Sequence, residues 1–240
     1  FDDARLRRVV TLGLDRQGFI DIMSHGEASI SGAMMALPAG GWGMPKEVLE
    51  TLPGYGGTQA ERREQALKIM TDLGYGPEKK VKVKVSTRDF TTWKEPAVIL
   101  VDQLNRLYFD AELETVESSG WYNRMFSRQY AVALNLTGSG LDEPDATLKM
   151  FFACRSSANY SKYCNAEVDR LLEMQSQEAD VAKRKALVWE IERILVHDVA
   201  RPIIFHGMQA TCWHPQLKGY VQHETTIYSN WRFDNVWLER

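Results

Sequence analysis

Residues 130–152 read YAVALNLTGSGLDEPDATLKMFF and join a strand-like run to a helix-like run through a glycine-rich bend. The first seven residues alternate in a way that is typical of a buried strand. Pro144 suits a first helical turn, because its missing N–H would have no partner there. A bend at the carboxyl end of a strand, opening into a helix, is where α/β folds bind ligands. The stretch therefore predicts an α/β fold with a candidate site at this bend.

Three carboxylates, those of Asp142, Glu143 and Asp145, surround the proline of the bend. A helix N-terminus favours negative charge, so one interpretation is that they cap the helix and complement its dipole. The other interpretation is that they contact a ligand. The pattern alone leaves both open.

Helix and strand patterns alternate along the rest of the chain. Apolar spacing, caps and stop residues predict helices over 4–14, from 16 onward, 60–73, 96–107, 119–128, 165–178 and 181–199. Alternation predicts strands over 80–87, 111–117 and 201–206 besides 130–136. The glycine- and proline-rich stretch 24–57 predicts a long exposed connection. Strands separated by helices indicate a parallel or mixed β-sheet flanked by helices.

Composition excludes several classes of function. With 240 residues, of which 44% are hydrophobic, the chain can bury a core, and its net charge of -3 gives no electrostatic case for nucleic acid. No apolar run reaches the roughly 18 to 20 residues that span a bilayer. The sequence shows neither an initiator methionine nor a signal peptide, so we expect a part of a longer protein whose signal peptide has been removed.

Enzyme motifs are absent from the sequence: it has no P-loop, no nucleophile elbow and no dinucleotide fingerprint. The five histidines, which are His25, His197, His206, His214 and His223, lack metal-ligand spacing such as H-E-x-x-H. His206 and His214 flank Cys212, but a polar pair at the end of a strand is the simpler interpretation. We therefore expect a protein that is not an enzyme and needs no metal or cofactor.

Two of the three cysteines, Cys154 and Cys164, bracket a polar loop without apolar periodicity. In an oxidising compartment such a pair forms a disulfide, and otherwise the two residues are free thiols. Composition alone leaves these alternatives open. The third cysteine, Cys212, is expected to be buried beside Trp213.

A series of short motifs along nearly the whole chain resembles the C-terminal lobe of a family 5 extracellular solute-binding protein. This is the dipeptide-, oligopeptide- and nickel-binding group that serves ABC importers. The matching stretches are FDDARLRR at 1–8 with LDR at 14–16, ALKIM at 66–70 with LGY at 73–75, DEPD at 142–145, NYSKYC at 159–164, KRKALV at 183–188 and KGY at 218–220. Each motif is short, but their order and spacing together are specific.

The resemblance implies a lobe of the type II periplasmic-binding-protein fold and a non-catalytic function. Such a protein captures a small solute between two lobes in the periplasm and delivers it to the membrane permease of an ABC transporter. Residues 1–204 would be the second lobe, and 205–240 would return toward the missing first lobe. The tail aromatics expected to pack against that lobe are Trp213, Tyr220, Tyr228, Trp231, Phe233 and Trp237. The oxidising compartment also favours a disulfide between Cys154 and Cys164.

The resemblance further suggests which residues bind the solute. The ligand-binding candidates are Trp42, Trp121, Tyr122, Gly140, Asp142, Asn159 and Trp213. Aromatic platforms suit sugar faces or flexible side chains, and ordinary packing is the alternative for each. Peptide-binding relatives carry an aspartate four residues before the proline of the turn, where it pairs with the α-amine of the peptide.

Gly140 stands at that position in this chain. We therefore hypothesise that the protein does not hold peptides through a free α-amine, and a sugar, a glycoside or another neutral solute becomes an alternative ligand. Two other classes of function stay open, a stand-alone α/β interaction module and a hydrolase-like enzyme. The first would bind a specific partner, and the second would need a nucleophile–base pair or a metal cluster.

Overall fold

The computed structural model describes residues 1, 3–30, 32–36, 41–138, 141–208, 210–222 and 232–239. Its helices are α1 (Ala4–Gly13), α2 (Arg16–Ser24), α3 (Lys46–Leu49), α4 (Gln59–Asp72), α5 (Thr91–Asn105), α6 (Ser118–Ser127), α7 (Met150–Phe152), α8 (Ala166–Gln177) and α9 (Val181–His197). A π-helical turn, Asp145–Lys149, precedes α7. Its strands are β1 (Val81–Arg88), β2 (Phe109–Val116), β3 (Val132–Ala133), β4 (Leu217–Lys218) and β5 (Trp237–Leu238).

Strand β1 is the centre of a three-stranded parallel sheet with the order β2-β1-β3. Val81 aligns with Phe109 of β2, and Val85 aligns with Val132 of β3. A separate antiparallel ribbon joins β4 to β5. The predicted α/β class, with mixed strand pairing flanked by helices, is confirmed. Among the described helices, none is long and apolar enough to cross a membrane.

The first core packs helices α1, α4 and α5 against the sheet. In β1, Val83 and Val85 are buried while Lys82 and Lys84 are exposed, as the alternation predicts. Buried members from the helices and sheet include Val9, Phe19, Ala66, Met70, Leu104 and Phe109. Gly74 ends the α4 region with φ of 78°, a conformation that other residues adopt only at a cost, so the predicted helix stop is confirmed.

The second core joins α8 and α9 to the π-helical turn. Its buried residues are Met34, Met35, Leu148, Phe152, Val168, Leu171, Leu172, Val188, Ile191 and Leu195. Both methionines of this core belong to the stretch 24–57. A third cluster adds Ala33, Met44, Leu49 and Leu52 from the same stretch. The prediction that this stretch is an exposed connection is therefore wrong. Irregular backbone can be buried here because side chains from elsewhere satisfy its polar groups.

Three further predictions need correction. Helix α5 begins at Thr91, so Pro96 lies inside it rather than in its first turn. Strand β3 covers only Val132–Ala133 of the predicted 130–136 and is half-buried. Residues 201–206 form no strand; His206 alone pairs with Ser29 in an isolated bridge.

The failure of the 201–206 strand has a physical reason. Pro202 has no N–H to donate to a ladder. The carbonyl of the next residue, Ile203, accepts from Arg16 Nε at 2.9 Å instead of from a neighbouring strand. Backbone groups that a ladder would use are thus absent or occupied.

Glu192 of α9 holds part of the buried irregular stretch. Its Oε1 accepts from the backbone N–H groups of Met34 at 2.6 Å and Met35 at 2.7 Å. Its Oε2 is buried without a hydrogen-bond partner among the described residues. Burial raises the pKa of Glu192 to about 7, although the backbone hydrogen bonds oppose this rise.

The raised pKa predicts a pH-dependent stability difference between the protein and Glu192→Gln. The folded state holds the Glu192 proton more tightly than the unfolded state, so its stabilising effect is present below pH 4.5 and is lost as pH rises through about 7. From pH 5 to pH 8, the free energy of unfolding of the unaltered protein should fall by about 2 to 3 kcal/mol relative to that of Glu192→Gln. Urea unfolding of both proteins at the two pH values measures this, and a difference that does not change with pH would contradict it.

Candidate functional site

The candidate site lies at the edge of the sheet where the three parallel strands end. Phe90 follows β1, helix α6 follows β2, and the glycine-rich bend follows β3. Each of these three connections carries an exposed side chain: Phe90, Tyr122 of α6 and Leu141 of the bend expose 59%, 47% and 54% of their surface, and we call them together the apolar rim. Exposed apolar surface of this kind is typical of a contact with a ligand or with another part of a protein.

Two predicted site residues are in contact: Trp42, from the segment that starts at Gly41, and Asp142 of the bend. The backbone carbonyl of Asp142 accepts from Trp42 Nε1 at 3.0 Å, and its Oδ2 accepts from the N–H of Gly41 at 2.7 Å. The carbonyl of Trp42 accepts from Trp189 Nε1 at 2.9 Å. The bend is thereby attached to the segment that starts at Gly41 and, through it, to α9. Asp142 itself stays exposed.

A salt bridge joins the bend to α9 directly. Both guanidinium Nη atoms of Arg184 donate to the carboxylate of Glu143, one of them at 3.3 Å. Arg184 Nε donates to Gln175 Oε1 at 3.0 Å, and the guanidinium lies 4.7 Å from the centre of the Trp42 ring. A paired, forked contact of this kind fixes orientation as well as distance. Arg184 therefore positions Glu143 and Trp42 together.

The third carboxylate of the bend connects to α8. Asp145 accepts from Ser176 Oγ at 2.6 and 2.8 Å and from Gln175 Nε2. Pro144 opens the helical turn with φ of -55°, as predicted, but the turn has no side-chain cap. The N–H of Asp145 lies 3.4 Å from Glu143 Oε1, and the N–H of Ala146 donates to the backbone carbonyl of Glu143 at 3.1 Å. The prediction that these carboxylates cap the helix is therefore wrong, although Asp145 does lie in the first turn, where the helix dipole favours negative charge. Asp145 and Glu143 connect the bend to α8 and α9.

The loop between Cys154 and Cys164 is closed by a disulfide, as the resemblance implied. Asn159 is buried at its centre, and its Nδ2 donates to the carbonyl of Tyr163 at 2.7 Å and to that of Ala153 at 3.2 Å. The hydroxyl of Tyr163 donates to Asp198 Oδ2 at 2.6 Å, and burial raises its pKa. In this structure Asn159 organises the loop with both of its amide hydrogens.

The two predicted aromatic residues of α6 differ in their surroundings. Trp121 is fully buried, meets Trp93 edge to face at 5.9 Å and donates from Nε1 to Asn135 Oδ1 at 3.3 Å. Its ring offers no exposed face to a solute. Tyr122, the next residue, is exposed in the apolar rim. Sequence could not separate the two, because both suit either packing or contact.

The two remaining candidates are Gly140 of the bend and Trp213 of the tail. Gly140 falls outside the described residues. Trp213 is in the tail, exposes 46% of its surface and packs 4.7 Å from Tyr220. Cys212 is exposed, so the prediction that it is buried beside Trp213 is wrong. The tail segment around it has few buried neighbours to cover a side chain.

Sequence reasoning missed Arg184, whose contacts organise the bend. Its motif, KRKALV at 183–188, contributed to the resemblance, but nothing local showed that one of three consecutive cations faces inward. In the described part of the chain, no three His, Cys, Asp or Glu side chains are grouped closely enough to hold a metal ion.

Comparison with known proteins shows the class of protein to which the chain belongs. The family model for bacterial extracellular solute-binding proteins, family 5 (middle region), matches residues 1–159. The chain belongs to this family. Solute-binding proteins hold solutes rather than convert them.

Two relatives illustrate the match in sequence. The periplasmic oligopeptide-binding protein OppA of Haemophilus influenzae is 24% identical over 234 residues, which cover 92% of this chain and 40% of that protein. The oligopeptide-binding protein OppA of Bacillus subtilis is 26% identical over 229 residues, covering 93% and 41%. The chain therefore spans about two fifths of the length of these relatives.

Solved structures show the same fold. The H. influenzae OppA complex with RPPGFSPFR has a TM-score of 0.79 at 21% identity, covering 99% of this chain and 46% of that one. The periplasmic binding protein DppA from Helicobacter pylori, in complex with the peptide STSA, has a TM-score of 0.72 at 19% identity, covering 100% and 45%.

The disulfide should stabilise the chain measurably. In the loop-entropy model, replacing both Cys154 and Cys164 by Ser should lower the free energy of unfolding by about 2.5 to 3 kcal/mol, because the open loop gains freedom in the unfolded state. Chemical denaturation measures this, and intact mass before and after reduction checks the bond. Cys212→Ser is the control and should change stability little, since that thiol is exposed and free. Equal stability of the double variant and the control would contradict the prediction.

The contact of Arg184 with Glu143 should also be measurable. A double-mutant cycle with Arg184→Met and Glu143→Gln should give a coupling energy of about 1 kcal/mol, because the pair is forked and partly buried. The matched control is Arg193 with Glu190, a more exposed pair at 2.9 Å, whose coupling should be about 0.5 kcal/mol or less. A coupling no larger than that of the control would show that the bend does not depend on this salt bridge.

Proposed function

We propose that this chain is the second lobe of a periplasmic solute-binding protein that supplies an ABC importer. The full-length protein would enclose a small solute between two lobes and present it to a membrane permease. The apolar rim at the carboxyl ends of β1, β2 and β3 is the observation that carries this proposal. It places exposed apolar side chains where parallel sheets bind ligands, next to the fixed bend with Trp42 and Asp142.

The domain assignment is part of the proposal. Residues 1–204 would form the lobe, and 205–240 would return to the missing first lobe. The tail supports this by its exposed apolar surface: Trp213, Phe233 and Trp237 expose 46%, 46% and 55% of their areas, and Leu238 exposes 67%. Tyr220 packs between Trp213 and Phe233, at 4.7 and 6.4 Å. An aromatic cluster of this kind fits a covering lobe. Tyr228 and Trp231, also expected there, lie outside the described residues.

A peptide is the solute class that the named relatives favour, since their names describe binding of oligopeptides. We propose that a bound peptide is not anchored by a carboxylate at the position of Gly140, because glycine has no side chain. Asp142 is the nearest candidate, but the N–H of Gly41 already occupies its Oδ2. A buried ammonium without a paired carboxylate costs several kcal/mol, so a free α-amine should add little to the affinity of a peptide. A sugar or glycoside remains the alternative solute.

The function is non-catalytic in this proposal. Binding without conversion needs no nucleophile–base pair, and the site's polar side chains are engaged in holding the bend. The interaction-module alternative predicts that the chain alone binds a partner with full affinity. The two-lobe proposal predicts the opposite.

The test is calorimetry with one set of tripeptides, each free and N-acetylated, on the full-length protein and on residues 1–240. Full-length protein should bind at least one peptide at micromolar affinity or better, and acetylation should weaken binding less than about tenfold. Residues 1–240 alone should bind at least about a hundredfold more weakly, because half of the enclosing surface is missing. Trehalose and cellobiose serve as sugar probes in the same series.

Each outcome has a meaning. Equal affinity of residues 1–240 and the full-length protein would refute the two-lobe proposal. Abolition of peptide binding by acetylation would refute the hypothesis on the α-amine, and Asp142→Asn would then show whether that carboxylate anchors it. Binding of a disaccharide and of none of the peptides would replace the peptide by a sugar.

A further inference from the structure

Helix α9 holds a segment of irregular backbone that also contacts the candidate site. We call it the methionine segment, and it comprises residues 33–36 and 41–44. Its three methionines are buried, although these residues form neither a helix nor a strand. Trp42 belongs to it and packs against the core of α8 and α9. The segment therefore connects α9 to the site.

Two side chains of α9 hold the methionine segment from the same side of the helix. Glu192 Oε1 accepts from the N–H groups of Met34 at 2.6 Å and Met35 at 2.7 Å. Trp189, three residues earlier and so on the same helix face, donates from Nε1 to the carbonyl of Trp42 at 2.9 Å. A change at Glu192 therefore acts on a segment that also carries Trp42.

The methionine segment in turn fixes the bend of the candidate site. The backbone carbonyl of Asp142 accepts from Trp42 Nε1 at 3.0 Å, and Asp142 Oδ2 accepts from the N–H of Gly41 at 2.7 Å. Both donors belong to the methionine segment. A displacement of the segment would withdraw them from the bend.

Glu192 holds the segment with one of its two carboxyl oxygens. The side chain is fully buried, and Oε2 has no hydrogen-bond partner among the described residues. In the ionised form, the hydrogen bonds to Oε1 leave the charge at Oε2 uncompensated, and a buried charge is costly unless it is paired and hydrogen-bonded. The neutral form avoids this cost while Oε1 still accepts from the backbone. Burial accordingly raises the pKa of Glu192 to about 7.

The charged and titratable groups around Glu192 do not remove this cost. Arg193, the next residue of α9, favours the ionised form, but it lowers the pKa of Glu192 less than burial raises it. Tyr55, after α3, is buried with its pKa raised from 10.0, so its phenol is neutral near pH 7. Arg16, at the start of α2, stacks over the Tyr55 ring at 4.4 Å and donates to backbone carbonyls.

His206 is the titratable group at the start of the same stretch. Its backbone pairs with Ser29 in both directions, at 2.8 and 3.1 Å. Burial lowers the pKa of His206 from 6.5, against the effect of a hydrogen bond with the backbone of Gly32. Its ring is therefore largely neutral near pH 7. Of the described groups that face the segment, Glu192 is the one that changes charge there.

We propose that Glu192 is a positioning residue for the solute site, whose ionisation loosens the methionine segment and thereby weakens solute binding. The ionised carboxylate gains hydration when the segment moves away, and Gly41 and Trp42 then no longer fix Asp142. The segment moves rather than α9, because it has no helix or ladder of its own. This inference rests on the proposed solute-binding function and adds a regulation to it: affinity falls as pH rises through neutrality.

Proton linkage gives the direction and size of the effect. The carboxyl of Glu192 has an ordinary pKa of 4.5 when hydrated and a pKa of about 7 when the segment covers it. The held arrangement is therefore favoured most below pH 4.5, and this advantage is lost as pH rises through 7. From pH 6 to pH 8, the ratio of displaced to held segments should rise about tenfold.

The test follows the segment in full-length protein labelled with ¹⁵N-tryptophan, with the indole resonance of Trp42 assigned through Trp42→Phe. This N–H donates to the carbonyl of Asp142, so its chemical shift reports on that contact. It should titrate with a midpoint near 7 in the unaltered protein and stay constant in Glu192→Gln. Exchange of the Met34 and Met35 amide hydrogens, corrected for intrinsic pH dependence, should accelerate about tenfold from pH 6 to pH 8 in the unaltered protein alone.

Calorimetry at the same pH values connects the segment to the solute. The probe is the N-acetylated tripeptide that the full-length protein binds most tightly, because a free α-amine would itself titrate in this range. The unaltered protein should bind it at least about threefold more weakly at pH 8 than at pH 6, since fewer molecules hold the bend in place. Glu192→Gln should show no such change. The control Glu167→Gln removes a carboxylate from an exposed pair on α8 and should retain the pH dependence.

Three results would overturn the inference: a Trp42 resonance that does not titrate, a titration that persists in Glu192→Gln, or tripeptide affinity that is constant while the resonance titrates. If Glu192→Gln does not fold, Glu192→Met, an apolar side chain of similar length, takes its place. The resonance and exchange measurements need no solute. A titrating Trp42 without binding of any tripeptide or disaccharide would thus reject the proposed function and leave the positioning role of Glu192 standing.

Discussion

The parallel pairing of β1 with a strand on each side is the constraint on which the rest of the structure depends. Parallel strands need long crossover connections, and helices α5 and α6 occupy those between successive strands. The carboxyl ends of all three strands consequently lie at one edge. Phe90, α6 and the glycine-rich bend follow the strands at that edge. The position of the site is therefore fixed by the sheet topology rather than by any single side chain.

A few charged side chains extend this order into segments without regular structure. Arg16 is buried, donates from Nη1 to the carbonyl of Gly54 at 2.6 Å and stacks over Tyr55 at 4.4 Å. Glu192 accepts hydrogen bonds from the N–H groups of Met34 and Met35. Each ion satisfies backbone groups that would otherwise be buried without partners. The stretch 24–57 can therefore be buried although its sequence shows no periodicity.

The candidate site was predictable in outline and not in detail. The bend, Trp42 and Asp142 were identified from sequence, and the structure brings them together. Trp121 and Asn159 were chosen by residue type, and both are buried in local packing. Aromatic and amide side chains serve solute contact and internal packing equally well, so residue type cannot decide between them. Arg184 was overlooked, because an arginine's partner is invisible in sequence when it lies far along the chain, as Glu143 does here.

The sequence by itself determined what depends on neighbours three or four residues away. Thr58 and Glu61 form the reciprocal cap that starts α4, and Asp15 caps α2 by accepting from Gly18 at 3.0 Å. The order of its motifs also determined the family. Only the tertiary structure decided how Arg184 meets Glu143 and how Glu192 meets Met34. These contacts join residues that no periodic pattern relates. They form only once the chain has folded, because taking charge from water is costly and only the folded structure supplies the paired and hydrogen-bonded partners that offset this cost.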